Sequence, residues 1–161
     1  MKKSFILALV SVLMCLGTSS CMMEEEADAA DSDPVVWLED FAIAKKQAVE
    51  RNMPILMYFT GSDWCPPCMQ LDRDVFSKQI FKEWADQNVV LLKLDFPHRI
   101  LQSPDQQRHN ERIRDDFRVE GYPTIILIDS KGNRIAQTGF RRGGAKKYIT
   151  HLEGLLINVK K

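Results

Sequence analysis

Three short apolar runs, MPILMYFT (53–60), VVLLKLDF (89–96) and PTIILID (123–129), constrain this chain more than any other feature. Each is too short for a buried helix, so each predicts a buried strand. Between and around them, apolar residues return at helical spacing. That spacing predicts a helix over 35–52, carried by Trp37, Phe41, Ala44 and Ala48, and another over 65–76 with proline in its first turn. Further helices are expected over 78–88 with Ser77 as cap, over 103–119 from Ser103-Pro104, and over 144–159. In the last, Tyr148, Leu152, Leu155 and Leu156 share one face. SKGN is a turn joining PTIILID to RIAQTGF as a hairpin. Strands alternating with helices imply an α/β fold: a central sheet with helices on both faces.

The domain so defined runs over 35–161 and is preceded by two segments of different character. Residues 1–21 combine Lys2 and Lys3, an apolar stretch too short to span a bilayer, and small residues before Cys21. This is the pattern of an export signal. Small residues before a cysteine also resemble a lipoprotein signal, although Thr18 stands where that pattern prefers leucine. Lipidation of Cys21 and simple secretion are both open. MMEEEADAADSDP (22–34) is acidic and lacks apolar periodicity, which predicts a disordered spacer.

Charge excludes several function classes. The 22 basic and 22 acidic residues balance; losing Lys2 and Lys3 leaves 20 against 22, a net of −2. Nucleic acid is therefore not an expected partner. Arg141-Arg142 and Lys146-Lys147 read as a solvated helix start. No apolar run reaches the ~20 residues of a membrane helix, so contact with a membrane is expected only through the signal or a lipid at Cys21. A monomer is expected.

With Cys15 inside the signal and Cys21 lost or lipidated, Cys65 and Cys68 are the one remaining pair. Export permits a disulfide. A bridge that closes only two intervening residues gains little loop entropy, so a purely structural staple is a poor use of this spacing. A closed zinc site wants four ligands, and His98, His109 and His151 are widely separated, so no metal site is expected. His98 and His109 lie in polar stretches and read as solvated; Trp37 and Trp84 read as core. Two thiolates alone leave a copper(I) carrier as the non-enzymatic alternative.

A C-x-x-C placed where a strand gives way to a helix reads as a redox motif. Unpaired amides at a helix start favour thiolate over thiol, so Cys65 should be the more acidic and more exposed sulfur. Cys68, about one turn on, is placed to attack a mixed disulfide formed by Cys65. Pro66 and Pro67 have no N–H and leave the Cys68 amide as the main donor to the Cys65 sulfur, which argues against a strong oxidant. The flat apolar Trp64 is expected to flank the sulfurs and contact substrate.

FTGSDWCPPC, LKLDFP, and GYPTIILID followed by GNRIAQTGF resemble the thioredoxin superfamily, in particular exported bacterial members with a GSDWC-x-x-C segment, over roughly 35–159. The resemblance implies a thioredoxin fold with a mixed sheet, and a thiol-disulfide oxidoreductase of the cell envelope, acting as a reductase rather than an oxidant or isomerase. It implies a cis bond before Pro123, with Tyr122 and Pro123 shaping the groove for a protein or small-molecule disulfide. No cofactor is implied, since the electrons reside in the cysteines, but a thiol protein must re-reduce them. One departure stands out. Where thioredoxins carry a buried aspartate on the strand before the motif, this chain has Tyr58, with Lys93 matching the lysine near that acid. Tyrosine loses its proton only near pH ~10 and is a poor base. Asp95 and Asp63 are the substitutes considered.

Overall fold

The computed structural model describes residues 37–157. The export signal, the acidic spacer and Cys21 lie outside these residues. Four strands form one mixed sheet in the order β2-β1-β3-β4: β1 (Ile55–Thr60), β2 (Val90–Asp95), β3 (Thr124–Ile128) and β4 (Arg134–Gly139). β1 runs parallel to β2 and antiparallel to β3, and β3 runs antiparallel to β4.

Strand periodicity divides the apolar residues between two cores. On β1, Leu56 and Tyr58 face one side while Ile55, Met57 and Phe59 face the other. The first face packs on α3 (Gln79–Asn88) and α5 (Gly144–Leu156) through Phe81, Trp84, Tyr148 and Leu152. The second packs on α1 (Phe41–Arg51) and α4 (Pro104–Asp116) through Ala44, Ala48 and Ile113. With helices on both faces, the central strands are covered throughout, which is why their sequences read as unbroken apolar runs. The expected thioredoxin fold is the observed one.

Local chemistry explains most boundaries. Ser103 caps α4 by accepting from the Gln106 amide, and Pro104 occupies the first turn, where its missing N–H costs nothing. Gly132 takes φ 97° in the β3–β4 turn, and the Asp129 carboxylate accepts from the Lys131 and Asn133 amides across it.

Two expected boundaries are corrected. α1 starts at Phe41, capped by the Asp40 carboxylate on the Ile43 amide at 2.9 Å. Before it, Leu38 bridges in parallel to Leu92: its amide donates to Leu91 O and its carbonyl accepts from the Lys93 amide. Extended pairing covers the free edge of β2, so Trp37 and Leu38 are not helical. Ser77 does not cap α3 either. Its hydroxyl donates to Arg73 O and closes the preceding helix, while Lys78 occupies the cap position of α3.

Candidate active site

The motif sits where β1 leaves the sheet. After Thr60 the chain turns through Gly61-Ser62-Asp63-Trp64, with the Cys65 amide donating to Gly61 O at 2.9 Å. Cys65 is the N-cap of α2 (Pro66–Leu71), in extended conformation with φ −96° and ψ 102°. The amides of Cys68 and Met69 donate to Cys65 O at 3.0 and 3.1 Å. Cys65 and Cys68 are joined by a disulfide, with Cα atoms 5.3 Å apart. Cys68 is wholly buried. Cys65 keeps 4% of its surface, so it is the more accessible of the two, yet more enclosed than its position at a helix start suggests. With the pair bonded, its sulfur points at Cys68 rather than at solvent.

The front of the site is aromatic and built from three segments. The Trp64 ring stacks on His98 at 4.3 Å with 5° between planes, and meets the edge of Tyr122 at 5.8 Å. Its indole N–H donates to Phe96 O at 2.7 Å. Phe96 in turn packs on Tyr122 at 5.1 Å, and the Arg114 guanidinium lies over Phe96. His98 is exposed, as its polar stretch predicts, and in addition is engaged by the Trp64 ring. The indole is held over Gly61, where an added Cβ would come within 2.4 Å of the Trp64 ring.

The loop that carries Phe96 and His98 is clamped by Asp63. Its carboxylate accepts from the amides of His98, Arg99 and Ile100, at 2.9, 2.6 and 3.0 Å. The His98 amide first, then those of Arg99 and Ile100, hold the Asp63 carboxyl below the usual carboxylate range. Asp95 is similarly engaged, accepting from the Ser62 amide at 3.0 Å and the Ser62 hydroxyl at 2.6 Å. Both candidates for the missing acid shape the active-site loop instead.

Tyr122 and Pro123 lie at the same end of the sheet as the motif, because Thr124 of β3 is the register partner of Phe59 of β1. The Tyr122–Pro123 bond is cis. Sequence reasoning thus located every piece of the front of the site except His98 and Phe96, which reach it through tertiary contact.

Behind Cys68 lies a buried polar group. The Tyr58 hydroxyl donates to Cys68 O at 3.3 Å and accepts from the Thr60 hydroxyl at 2.9 Å. Lys93 is the register partner of Tyr58 on β2. Asp72 begins a π-helical segment, Asp72–Phe76, that continues α2, and the Ser77 amide donates to Asp72 O at 2.8 Å. Burial first, then the nearby Asp72 charge, pushes the Tyr58 phenol far above its ordinary range. Asp72 stands four residues after Cys68, which puts it on the same helical face.

A family model described as thioredoxin-like matches residues 36–130. The chain belongs to the thioredoxin-like family. Among the relatives of this thioredoxin-like chain, the disulfide bond reductase DsbH of Chlamydia pneumoniae is 30% identical over 118 residues, covering 73% of this chain and 71% of DsbH. A solved DsbH oxidoreductase structure superposes with a TM-score of 0.73 at 26% identity, covering 88% of this chain and 94% of that one. The thioredoxin-related protein DsbJ of the same organism is 26% identical, but the chain spans only 40% of its length. The thioredoxin-like domain is a thiol-disulfide oxidoreductase of the Dsb type, with its disulfide-capable pair at Cys65 and Cys68.

Proposed function

We propose that the protein is a disulfide reductase of the bacterial cell envelope in which Cys65 attacks and Cys68 resolves. The observation that carries this reading is the asymmetry of the pair: two bonded sulfurs at a helix start, one with residual access and one with none. In the forward reaction the Cys65 thiolate attacks one sulfur of a substrate disulfide. A Cys65–substrate bond forms, the substrate S–S bond breaks, and one substrate thiol leaves. Cys68 then attacks Cys65 Sγ and expels the second thiol, leaving the Cys65–Cys68 disulfide. Two electrons and two protons pass to the substrate, and a donor thiol protein returns them.

Trp64, Tyr122 and Pro123 form the docking surface in this reading, supported by the contact of Trp64 with Tyr122. Reduction is favoured over oxidation on two grounds. The Cys68 amide, expected to donate to the Cys65 sulfur, donates to Cys65 O instead, and Pro66 and Pro67 have no N–H to offer that sulfur. DsbH, a reductase, is also among the relatives. Export, with or without a lipid at Cys21, places the domain in the envelope. The test is the reduction potential of the Cys65–Cys68 couple together with insulin reduction. A potential near that of thioredoxin, roughly −270 mV, is expected; one near a strong oxidant, roughly −120 mV, reverses the direction.

A further inference from the structure

A flat ring serves as a docking surface only through a face that nothing else covers. One face of the Trp64 indole carries the His98 ring, parallel to within 5° at 4.3 Å. Non-bonded carbons need about 3.5–4 Å between them, so no substrate group fits into that gap. Gly61 backs the indole too closely to admit even a Cβ, Tyr122 meets it at 5.8 Å, and its N–H is spent on Phe96 O. What the indole leaves to a substrate is an outer edge. The open ring beside it is His98, which is exposed and has Trp64 as its one ring contact among the described residues.

We propose that His98 is a specificity-determining residue of the exchange reaction: its ring, standing on the indole, is the surface on which a polypeptide disulfide lies while Cys65 attacks it, and it favours polypeptide over small-molecule disulfides. The chemistry itself names the occupant. The mixed disulfide ties the substrate sulfur to Cys65 Sγ, and Cys65 directly follows Trp64 in the chain. An extended chain advances about 3.3–3.6 Å per residue, so the residues flanking a substrate cysteine cross the neighbouring rings. A disulfide whose arms are two carbons long has little beyond its sulfurs to lay on them.

The backbone under His98 is built to hold the ring there. Asp63, the residue before Trp64, accepts from the amides of His98, Arg99 and Ile100, so the indole and the support of the ring upon it come from one turn. The same clamped segment keeps Ile100 58% and Leu101 96% exposed, apolar side chains held in water instead of folded under the loop. Apolar surface kept open beside a reacting group marks a place of interaction. Residues 98–101 thus form a strip joined to the reactive pair through the Trp64 stack, and a polypeptide is long enough to cover it.

This inference rests on the disulfide-exchange reading, and a pair of substrates separates the two. The full chain, with dithiothreitol as electron donor, is assayed on insulin, a polypeptide disulfide, and on bis(2-hydroxyethyl) disulfide, which carries no polypeptide. In His98→Ala the ratio of kcat/KM for insulin to that for the small disulfide should fall about fivefold, with the loss in KM for insulin. His98→Phe keeps a flat ring on the indole and should return the ratio to within about twofold of wild type. A ratio that does not fall in His98→Ala overturns the assignment, as does one that rises because the uncovered indole takes the substrate. Equal loss on both disulfides overturns it too, since His98 would then act through the position of Cys65 or through the fold. So does a His98→Phe variant that behaves as His98→Ala, or a wild type that reduces the small disulfide alone. A wild type that reduces neither removes the disulfide-exchange reading and this inference with it.

Discussion

The two sides of the Cys65–Cys68 bond are built from opposite materials. The front is a rim of rings, Trp64, His98, Phe96 and Tyr122, resting on an exposed loop held by the Asp63 carboxylate. The back is polar: the Tyr58 hydroxyl donates to Cys68 O and accepts from Thr60, Lys93 pairs with Tyr58 on β2, and the Asp72 amide donates to Cys68 O one turn on. Two aspartates show the contrast. Asp63 is held ionised by three amides, whereas burial resists ionisation of Asp72. A carboxylate held firmly in its charged form is suited to fixing a loop.

The largest test of this division removes the sulfurs one at a time. Cys65→Ser should abolish insulin reduction, whereas Cys68→Ser should accumulate mixed disulfides detectable by mass spectrometry. Activity surviving in Cys65→Ser would break the comparison at its base. Next comes Gly61→Ala, which forces a Cβ to within 2.4 Å of the Trp64 ring. Displacing the indole should cost about 1–3 kcal/mol in thermal stability and raise KM for protein disulfides.

How far these features could be read from sequence follows the same division. The strands, the helix opening at Cys65, the Ser103 cap and the β3–β4 turn depend on residues close together in the chain, and their patterns are local. The stack of His98 on Trp64 is not local: it needs the loop after β2 folded back by Asp63, a contact across 35 residues. Trp37 and Phe41 share helical spacing, which predicts a helix through Leu38, but pairing with Leu92 prevails there. The spacing of Asp72 to Cys68 is legible in the sequence; the π-helical segment that begins at it is not. The place of Cys65 at the helix start predicts the more exposed sulfur of the pair, and it is, although the bonded state leaves it only 4% of its surface.

Two smaller effects sharpen the contrast through pH. The folded-state pKa of Asp72 is raised, so ionising it weakens the fold as pH climbs past the ordinary carboxylate range. Asp72→Asn should therefore melt above wild type at neutral pH, with the gap closing below pH ~4. A melting curve lower than wild type at pH 7 would show that the pairing with Lys93 outweighs burial. Asp63 has the opposite sign: its lowered pKa gives stability present above the ordinary range and lost as pH falls through it. Asp63→Asn should lower the melting temperature slightly at pH 7 and leave little difference at pH 2, and amide exchange at His98, Arg99 and Ile100 should quicken. Unchanged exchange at those amides would mean the clamp does not hold the loop.

The order of reactivity within the reduced pair tests the account most directly. Reduced protein is treated with substoichiometric iodoacetamide across a pH series, and the alkylated cysteine is located by peptide mass spectrometry. Alkylation at Cys65, with a midpoint below the ~8.5 of a free thiol and with Cys68 untouched, is the predicted result. Alkylation of Cys68 first, or a Cys65 no more reactive than free cysteine, would contradict it.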